Sequence, residues 1–231
     1  MILNRDELKR AAALRAIEEV DDGMVVGLGT GSTAAFVVEG LGERVAGGLR
    51  VVGIPTSERT AAHARRLGIP IATFAEHQRL DLTIDGADEV QLGTLDLIKG
   101  LGGALLREKI VATASDRLVI VVDQEKLVEQ LGERTPVPVE VTQFGWQATA
   151  IALAKLGCLP SRRCVVGEQP YVTDGGNYIL DCRFGPLTDP GMVEERIAMT
   201  VGTVESGLFI GRSSAVVIAS VTGVEVFTRA L

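Results

Sequence analysis

The sequence predicts an α/β fold, with a Rossmann-like parallel sheet flanked by helices and a smaller ferredoxin-like α+β domain. Short apolar segments such as Met24–Leu28 and Leu118–Val122 alternate with longer helical stretches in the first half of the chain. Strands that are apolar throughout are typical of parallel sheets covered by helices on both faces. Beyond Gly132 the predicted order becomes β-α-β-β-α-β, which is the ferredoxin-like arrangement.

The first half of the chain supplies most elements of the larger domain. A helix begins after Asn4, because Glu7 three residues later completes a capping-box pattern. The predicted strands are Met24–Leu28, Arg50–Ile54, Leu82–Ile84, Leu95–Ile98 and Leu118–Val122, and the helices between them are Ala34–Ala46, Ser57–Leu67 and Ala104–Thr113. Ligands of such sheets bind beyond the carboxyl ends of the strands. The loops after Leu28, Ile84 and Ile98 are therefore expected at one edge of the sheet.

The second half predicts the smaller domain, at residues 130–206. Asp189-Pro190 marks the start of a helix, because Pro is favoured at the first helical position. The predicted strands are Val137–Val141, Arg163–Val166, Tyr178–Cys182 and Thr203–Ile210, and the helices are Phe144–Leu156 and 190–199. Ala215–Ala219 and Val224–Phe227 are expected to return to the main sheet. The larger domain is therefore predicted to comprise residues 1–129 and 207–231.

The composition argues against several kinds of partner. The 231 residues carry a formal net charge of −7, which disfavours binding to nucleic acid or to an anionic membrane. No apolar run approaches the ~18 residues needed to cross a bilayer, and no signal-peptide pattern opens the sequence. Cys158, Cys164 and Cys182 form no C-x-x-C pair, which predicts a reduced, cytoplasmic protein with all three as small core residues.

A glycine-rich loop with the sequence G-L-G-T-G-S-T connects the first predicted strand to the second predicted helix, at Gly27–Thr33. Glycines let backbone N–H groups approach an anion, and a helix N-terminus adds partial positive charge. No Lys follows the glycines, as one would in a Walker A loop, and the G-x-G-x-x-G spacing is absent. The loop predicts a phosphate site at Thr30–Thr33, with a plain tight turn as the alternative.

An acidic segment, D-G-A-D-E, directly follows a predicted strand at Asp85–Glu89. Carboxylates that are crowded away from water raise one another's pKa, which suits general acid–base catalysis. A solvated acidic turn and a Ca²⁺ or Mg²⁺ loop are the alternatives, although the spacing differs from that of an EF-hand. Taken alone, the segment does not decide between a turn and a site.

A third segment, Lys99–Lys109, combines a Lys at the end of a predicted strand, several glycines and a carboxylate, Glu108, within a helix. A Lys and a carboxylate base near an acidic cluster can abstract a carbon-bound proton and stabilise the resulting oxyanion. An ordinary helix face is the alternative for Glu108. Lys126 follows another predicted strand and is expected near the same edge, although a lone Lys there is more often a surface residue.

Together these segments resemble ribose-5-phosphate isomerase, type A, over essentially the whole chain. The strongest motifs are G-x-G-T-G-S-T-A at Gly27–Ala34, T-S-E-x-T at Thr56–Thr60, D-L-T-I-D-G-A-D-E at Asp81–Glu89 and K-G-x-G-G-A-L-x-R-E-K at Lys99–Lys109. Gly176–Asp181 and Val204–Phe209 match more weakly.

The resemblance implies interconversion of D-ribose 5-phosphate and D-ribulose 5-phosphate in the non-oxidative pentose phosphate pathway, through a cis-enediolate with Glu108 as the base. It implies that Asp85 and Asp88 handle hydroxyl protons and ring opening, and that Lys99 stabilises the enediolate oxygen. The implied substrate-binding residues are Thr30, Gly31, Ser32, Thr33, Asp85, Gly86, Ala87, Asp88, Lys99, Gly100, Leu101, Gly102 and Lys126, with Lys9 as a further phosphate contact. It also implies no metal, no cofactor, and a homodimer or homotetramer.

Two other classes of function fit part of this pattern. A sugar-phosphate sensor, such as the effector domain of a transcription regulator, would keep the glycine loop but would not need Glu108 or Lys99. A sugar-phosphate deaminase or lactonase would be expected to use a catalytic His. His63 and His77 lie outside the strand-end loops and match no zinc-binding pattern, which argues against that class.

Overall fold

The computed structural model of the chain describes residues 4–229, which divide into two compact units. The first unit comprises residues 4–87, 107–126 and 212–229, and the second comprises residues 88–106 and 127–211. Each unit is therefore assembled from segments that are distant in the sequence.

Residues 4–229 form helices and strands that are numbered in chain order. The helices are α1 (Arg5–Ile17), α2 (Ser32–Ala46), α3 (Glu58–Arg66), α4 (Leu105–Thr113), α5 (Trp146–Ala154) and α6 (Pro190–Ala198). The strands are β1 (Val25–Leu28), β2 (Val52–Pro55), β3 (Leu82–Asp85), β4 (Glu89–Gln91), β5 (Leu97–Ile98), β6 (Leu118–Asp123), β7 (Leu127–Val128), β8 (Val137–Val141), β9 (Leu159–Arg162), β10 (Tyr178–Arg183), β11 (Thr203–Ser206), β12 (Leu208–Phe209), β13 (Ala215–Ser220) and β14 (Gly223–Thr228). A 3₁₀ turn, Gln124–Lys126, follows β6.

The first unit contains a six-stranded sheet in the order β14-β13-β6-β3-β1-β2. All neighbouring strands are parallel except β14, which pairs antiparallel with β13. Val26 and Leu28 of β1 pack in a core cluster with α1 and α2, whereas Val25 packs in a second cluster with Val111 of α4. Because successive side chains of a strand point to opposite faces, the helices cover both faces of the sheet. The predicted Rossmann-like sheet flanked by helices is confirmed.

The second unit contains a four-stranded antiparallel sheet in the order β11-β8-β10-β9. Its elements follow one another as β8-α5-β9-β10-α6-β11, which is the ferredoxin-like arrangement. Val139, Leu153 and Ile197 place the core between this sheet and its two helices. Asp189 caps α6, because its side chain accepts a hydrogen bond from the Met192 N–H, and Pro190 opens the helix as predicted.

The placement of Leu95–Ile98 in the parallel sheet is wrong. This segment contributes only the two-residue strand β5, which pairs antiparallel with β4 and β12 in a separate sheet of order β12-β5-β4-β7 within the second unit. The predicted strand Thr203–Ile210 is divided at Gly207 between β11 and β12. A Cβ at Gly207 would lie 2.8 Å from Pro138 Cδ, so only glycine fits at this position. The predicted domain limits, after residues 129 and 206, differ from the limits of the units, which fall after residues 87, 106, 126 and 211.

Two further expectations for the second unit are corrected. The strand predicted at Arg163–Val166 lies earlier, as β9, because Arg162 and the residues before it pair with β10. Cys158 and Cys182 are buried in the core as predicted, but Cys164, which follows the end of β9, is exposed. The neighbouring Cys158 thiol and burial raise the pKa of the Cys182 thiol, so Cys182 stays protonated.

No helix within residues 4–229 combines the length and apolar character that a membrane-crossing segment requires.

Candidate active site

The glycine loop of the first unit leads from β1 directly into α2. Gly31 is the N-cap residue and has a φ of 124°, a backbone conformation that residues other than glycine rarely adopt. No side chain of the described residues caps this helix end, so its first N–H groups keep their partial positive charge. Ser32 is exposed and Thr33 is buried beside it. This geometry suits an anion such as a phosphate group.

Asp85, at the end of β3, joins the acidic segment to the glycine loop. Its side chain is 1% exposed, and its Oδ1 accepts hydrogen bonds from the Thr30 N–H at 3.0 Å and the Gly86 N–H at 2.7 Å. Two segments that are about 55 residues apart in the sequence are therefore in direct contact, as their positions at neighbouring strand ends predicted.

Gly29 makes this close approach possible. A Cβ at Gly29 would lie 2.6 Å from the Asp85 Cα, and backbone cannot move aside as the end of a long side chain can. We expect Gly29→Ala to lower the free energy of unfolding by about 3 kcal/mol, the cost of overpacking a tight interior. Gly86→Ala is the control, since its Cβ would meet its nearest neighbours at 3.9 Å. Equal losses for both variants in denaturant unfolding would contradict this account.

Four buried hydroxyl groups connect the glycine loop to the segment Thr56–Thr60. The Thr30 Oγ1 lies 2.7 Å from Thr56 Oγ1, 2.8 Å from Ser57 Oγ and 3.1 Å from Thr60 Oγ1. Thr60 also donates to the Gly29 carbonyl at 3.0 Å, and Ser57 caps α3 by accepting from the Thr60 N–H. This network gives the T-S-E-x-T segment a role that its sequence alone did not assign: it fixes the loop's position.

A groove of about 440 Å³ lies beside the loop in the same unit. Gly31 and Ser32 line it together with three basic residues of α3, which are Arg59, His63 and Arg66. These side chains are spaced i, i+4 and i+7, and so share one face of the helix. That spacing was available in the sequence as a signal, but none of the three was identified as a site residue.

Three other predicted site residues belong to the first unit. Glu108 lies on α4 and is only 3% exposed. Its neighbour Arg107 forms an ion pair with Glu58 at 2.8 Å, whereas Lys109 is buried. Lys126 is half-buried at the end of the 3₁₀ turn after β6, and the Lys9 ammonium lies 3.3 Å from Asp6.

The second unit carries Asp88 and the segment Lys99–Gly102. The Lys99 side chain is 2% exposed, and its Nζ lies 5.5 Å from the centroid of the Phe209 ring. The Asp88 Oδ2 accepts a hydrogen bond from the Leu101 N–H at 2.8 Å. Asp88 therefore contacts the glycine-rich segment Lys99–Gly102, the second glycine loop, within this unit.

Glu89 binds backbone N–H groups within the second unit. Its carboxylate accepts hydrogen bonds from the backbone N–H groups of Gly132, Arg134 and Thr135, at 2.6, 2.8 and 2.6 Å. The Glu89 side chain therefore fixes the loop at residues 132–135.

Glu89→Gln is expected to destabilise the second unit, because an amide has one acceptor oxygen where the carboxylate has two. At least one buried N–H then loses its partner, which costs about 2 kcal/mol in the free energy of unfolding. Glu133→Gln is the matched control in the same loop, where an exposed carboxylate accepts one N–H from Gln130. Chemical denaturation measures both variants, and an unchanged unfolding midpoint for Glu89→Gln would refute the assigned role.

The predicted residues are divided between the two units. Those of the first are Thr30, Gly31, Ser32, Thr33, Asp85, Gly86, Ala87, Glu108 and Lys126, and those of the second are Asp88, Lys99, Gly100, Leu101 and Gly102. In the part of the chain that the structure describes, no group of three or more His, Cys, Asp or Glu side chains is arranged to hold a metal ion.

Comparison with known proteins identifies the family. Residues 52–223 match the family model of ribose 5-phosphate isomerase A, also called phosphoriboisomerase A. The chain belongs to the ribose-5-phosphate isomerase A family. The family member from Gloeobacter violaceus, named ribose-5-phosphate isomerase A, is 64% identical over 226 residues, with 98% of each chain covered. The relative of that name from a Synechococcus strain is 54% identical and covers 95% of this chain and 96% of its own.

Solved structures of ribose-5-phosphate isomerases share the whole fold. A D-ribose-5-phosphate isomerase in complex with phospho-erythronic acid superposes with a TM-score of 0.95 at 36% identity, covering 98% of this chain and 100% of its own. Ribose 5-phosphate isomerase from Plasmodium falciparum gives 0.93 at 40% identity, covering 98% and 100%. The family resemblance that the motifs indicated is confirmed.

Proposed function

We propose that this chain interconverts D-ribose 5-phosphate and D-ribulose 5-phosphate by proton transfer through a cis-enediolate, with Glu108 as the base. Membership of the ribose-5-phosphate isomerase A family carries the reaction itself. The observation that supports Glu108 is its burial at 3% exposure on α4, within an intact Lys99–Lys109 motif.

In the forward direction the Glu108 carboxylate takes the proton from C2 of the open-chain aldose. The electron pair of the C–H bond forms a double bond between C1 and C2, and the aldehyde oxygen becomes the enediolate oxyanion. Protonated Glu108 then returns the proton to C1, the C2 hydroxyl proton passes to the O1 oxyanion, and the ketone forms at C2 with a hydroxyl group left at C1. No electrons are gained or lost overall, so the reaction needs no redox cofactor.

The oxyanion needs positive charge and hydrogen-bond donors that are fixed before the reaction begins. Lys99, a residue that is 2% exposed, supplies an ammonium group, and the Gly100–Gly102 backbone supplies N–H groups. Asp88, which accepts from the Leu101 N–H, and Asp85, which accepts from the Thr30 N–H, handle the substrate hydroxyl protons and the opening of the sugar ring.

The Thr30–Thr33 loop and the N-terminus of α2 bind the substrate phosphate, with Gly86, Ala87 and Lys126 as further substrate contacts. Lys9 is a candidate for an additional contact to the phosphate. Binding energy at the phosphate, remote from C1 and C2, orients the reacting carbons. The pathway, the cytoplasmic location and the homodimeric or homotetrameric state stay predictions.

The test is the appearance of ribulose 5-phosphate absorbance when the protein is given ribose 5-phosphate in the presence of a metal chelator. We expect turnover under these conditions. A wild-type protein that binds the sugar phosphate without turning it over would instead support the sensor function and contradict the proposal.

A further inference from the structure

Arg163, just beyond β9 in the second unit, is held by an ion pair with Asp181. Its Nε donates to the Asp181 Oδ2 at 3.0 Å, and its Nη2 donates to the Oδ1, so the pair is bidentate. The two side chains are only 13% and 24% exposed. A bidentate pair of this kind fixes the guanidinium plane as well as its position.

The remaining guanidinium nitrogen of Arg163 reaches the second glycine loop. Its Nη1 donates to the Gly100 carbonyl at 2.9 Å and to the Leu101 carbonyl at 3.0 Å. Both peptide bonds are trans, so the N–H of each points away from its carbonyl, and hence away from Arg163. The Leu101 N–H meets the Asp88 carboxylate at 2.8 Å, and the Gly102 N–H has no acceptor within residues 4–229.

Tyr171 supports the same arrangement. Its ring centroid lies 6.0 Å from the Arg163 guanidinium carbon, and its backbone N–H donates to the Arg163 carbonyl at 2.9 Å. The ring also fills the space beside Gly103, where a Cβ would lie 2.7 Å from the Tyr171 Cε1. Arg163 thus binds the loop at the Gly100 and Leu101 carbonyls, and Tyr171 packs against Gly103.

We infer that Arg163 is a positioning residue for the isomerase reaction, acting through the Gly100–Gly102 peptides and Asp88. Its cation fixes the direction of the Leu101 and Gly102 N–H groups. A cation bound to a carbonyl also draws electron density from the peptide and makes its N–H a stronger donor. The effect is largest where negative charge develops, so it favours the enediolate over the neutral substrate. This inference rests on the proposed function.

Arg163→Met tests it, because Met has similar length and neither charge nor donors. We expect kcat to fall by about 10- to 100-fold while KM for ribose 5-phosphate changes by less than about threefold. Phospho-erythronic acid carries a full negative charge on its carboxylate, and we expect its inhibition constant to rise in parallel with the loss of kcat. Arg163→Lys, which keeps the charge but cannot bind Asp181 and the loop together, should fall between Arg163→Met and wild type.

Arg162→Met is the matched control. Arg162 is the adjacent residue, but its guanidinium carbon lies 4.7 Å from the Trp146 ring centroid and 5.6 Å from that of Tyr178. It therefore packs on aromatic rings where Arg163 binds the glycine loop. We expect wild-type kcat for this variant.

Wild-type kcat in Arg163→Met, or an equal loss in Arg162→Met, would overturn the inference while leaving the isomerase activity of the wild type in place. A loss of affinity for ribose 5-phosphate as large as that for phospho-erythronic acid would also overturn it. Should Arg163→Met fail to fold, Arg163→Lys with a native circular dichroism spectrum carries the same test. Failure of the proposed function is a separate result, since wild-type protein would then show no turnover.

Discussion

Glu108→Gln is expected to lower kcat for ribose 5-phosphate isomerisation by about three orders of magnitude, in the middle of the range of general-base effects. The amide has nearly the shape of the carboxylate but cannot accept the C2 proton. Because Glu108 is buried, the isosteric change keeps the packing of α4, and we expect a native circular dichroism spectrum and little change in KM. Initial rates of ribulose 5-phosphate formation measure the effect.

Glu18→Gln is the control for this variant, since Glu18 is an exposed carboxylate at the end of α1. We expect wild-type kinetics for it. Wild-type kcat in a correctly folded Glu108→Gln protein would remove Glu108 from the mechanism and transfer the role of base to another carboxylate.

Lys99→Met is expected to reduce kcat by about 100- to 1,000-fold, the range observed when a single oxyanion-stabilising group is removed. Lys99 as a whole is 2% exposed, so its charge is poorly screened by water. Met fills most of the same space beside the Phe209 ring, so the fold should be preserved. Steady-state kinetics together with a thermal melt separate the chemical effect from a structural one.

Phe209→Leu distinguishes the ammonium group from its surroundings, because it removes the aromatic partner at 5.5 Å and keeps Lys99. We expect some loss of stability and a much smaller loss of kcat than in Lys99→Met. Equal kcat losses in the two variants would mean that packing around Lys99, and not its charge, sets the rate.

Local sequence patterns predicted the large elements of the fold. β6 is six consecutive buried residues, and such runs are readily identified as strands between helices. The strands β5, β7 and β12 have only two residues each, too few for any periodicity. Their sheet is defined by pairings such as Leu208 with Ile98, which no local pattern encodes.

The candidate site was predicted where motifs lie at strand ends, as for Thr30–Thr33 and Asp85. Residues that act through contacts distant in sequence were not predicted. Arg163 reaches Gly100 across 63 residues, and Glu89 binds the Gly132 N–H across 43. The sequence shows Arg163 only as a basic residue, because its contacts with the Gly100 and Leu101 carbonyls depend on where β9 and the Lys99–Gly102 segment meet within the second unit.

Hydrogen exchange at C1 tests the central claim most directly. Ribose 5-phosphate is incubated in D₂O with the wild-type protein, and the C1 position of ribulose 5-phosphate is followed by NMR. Proton transfer through an enediolate predicts that deuterium accumulates at C1 over many turnovers, and that Glu108→Gln protein introduces none over the same time. Complete retention of protium at C1 in an actively turning-over sample would show a direct hydride shift and would contradict the account.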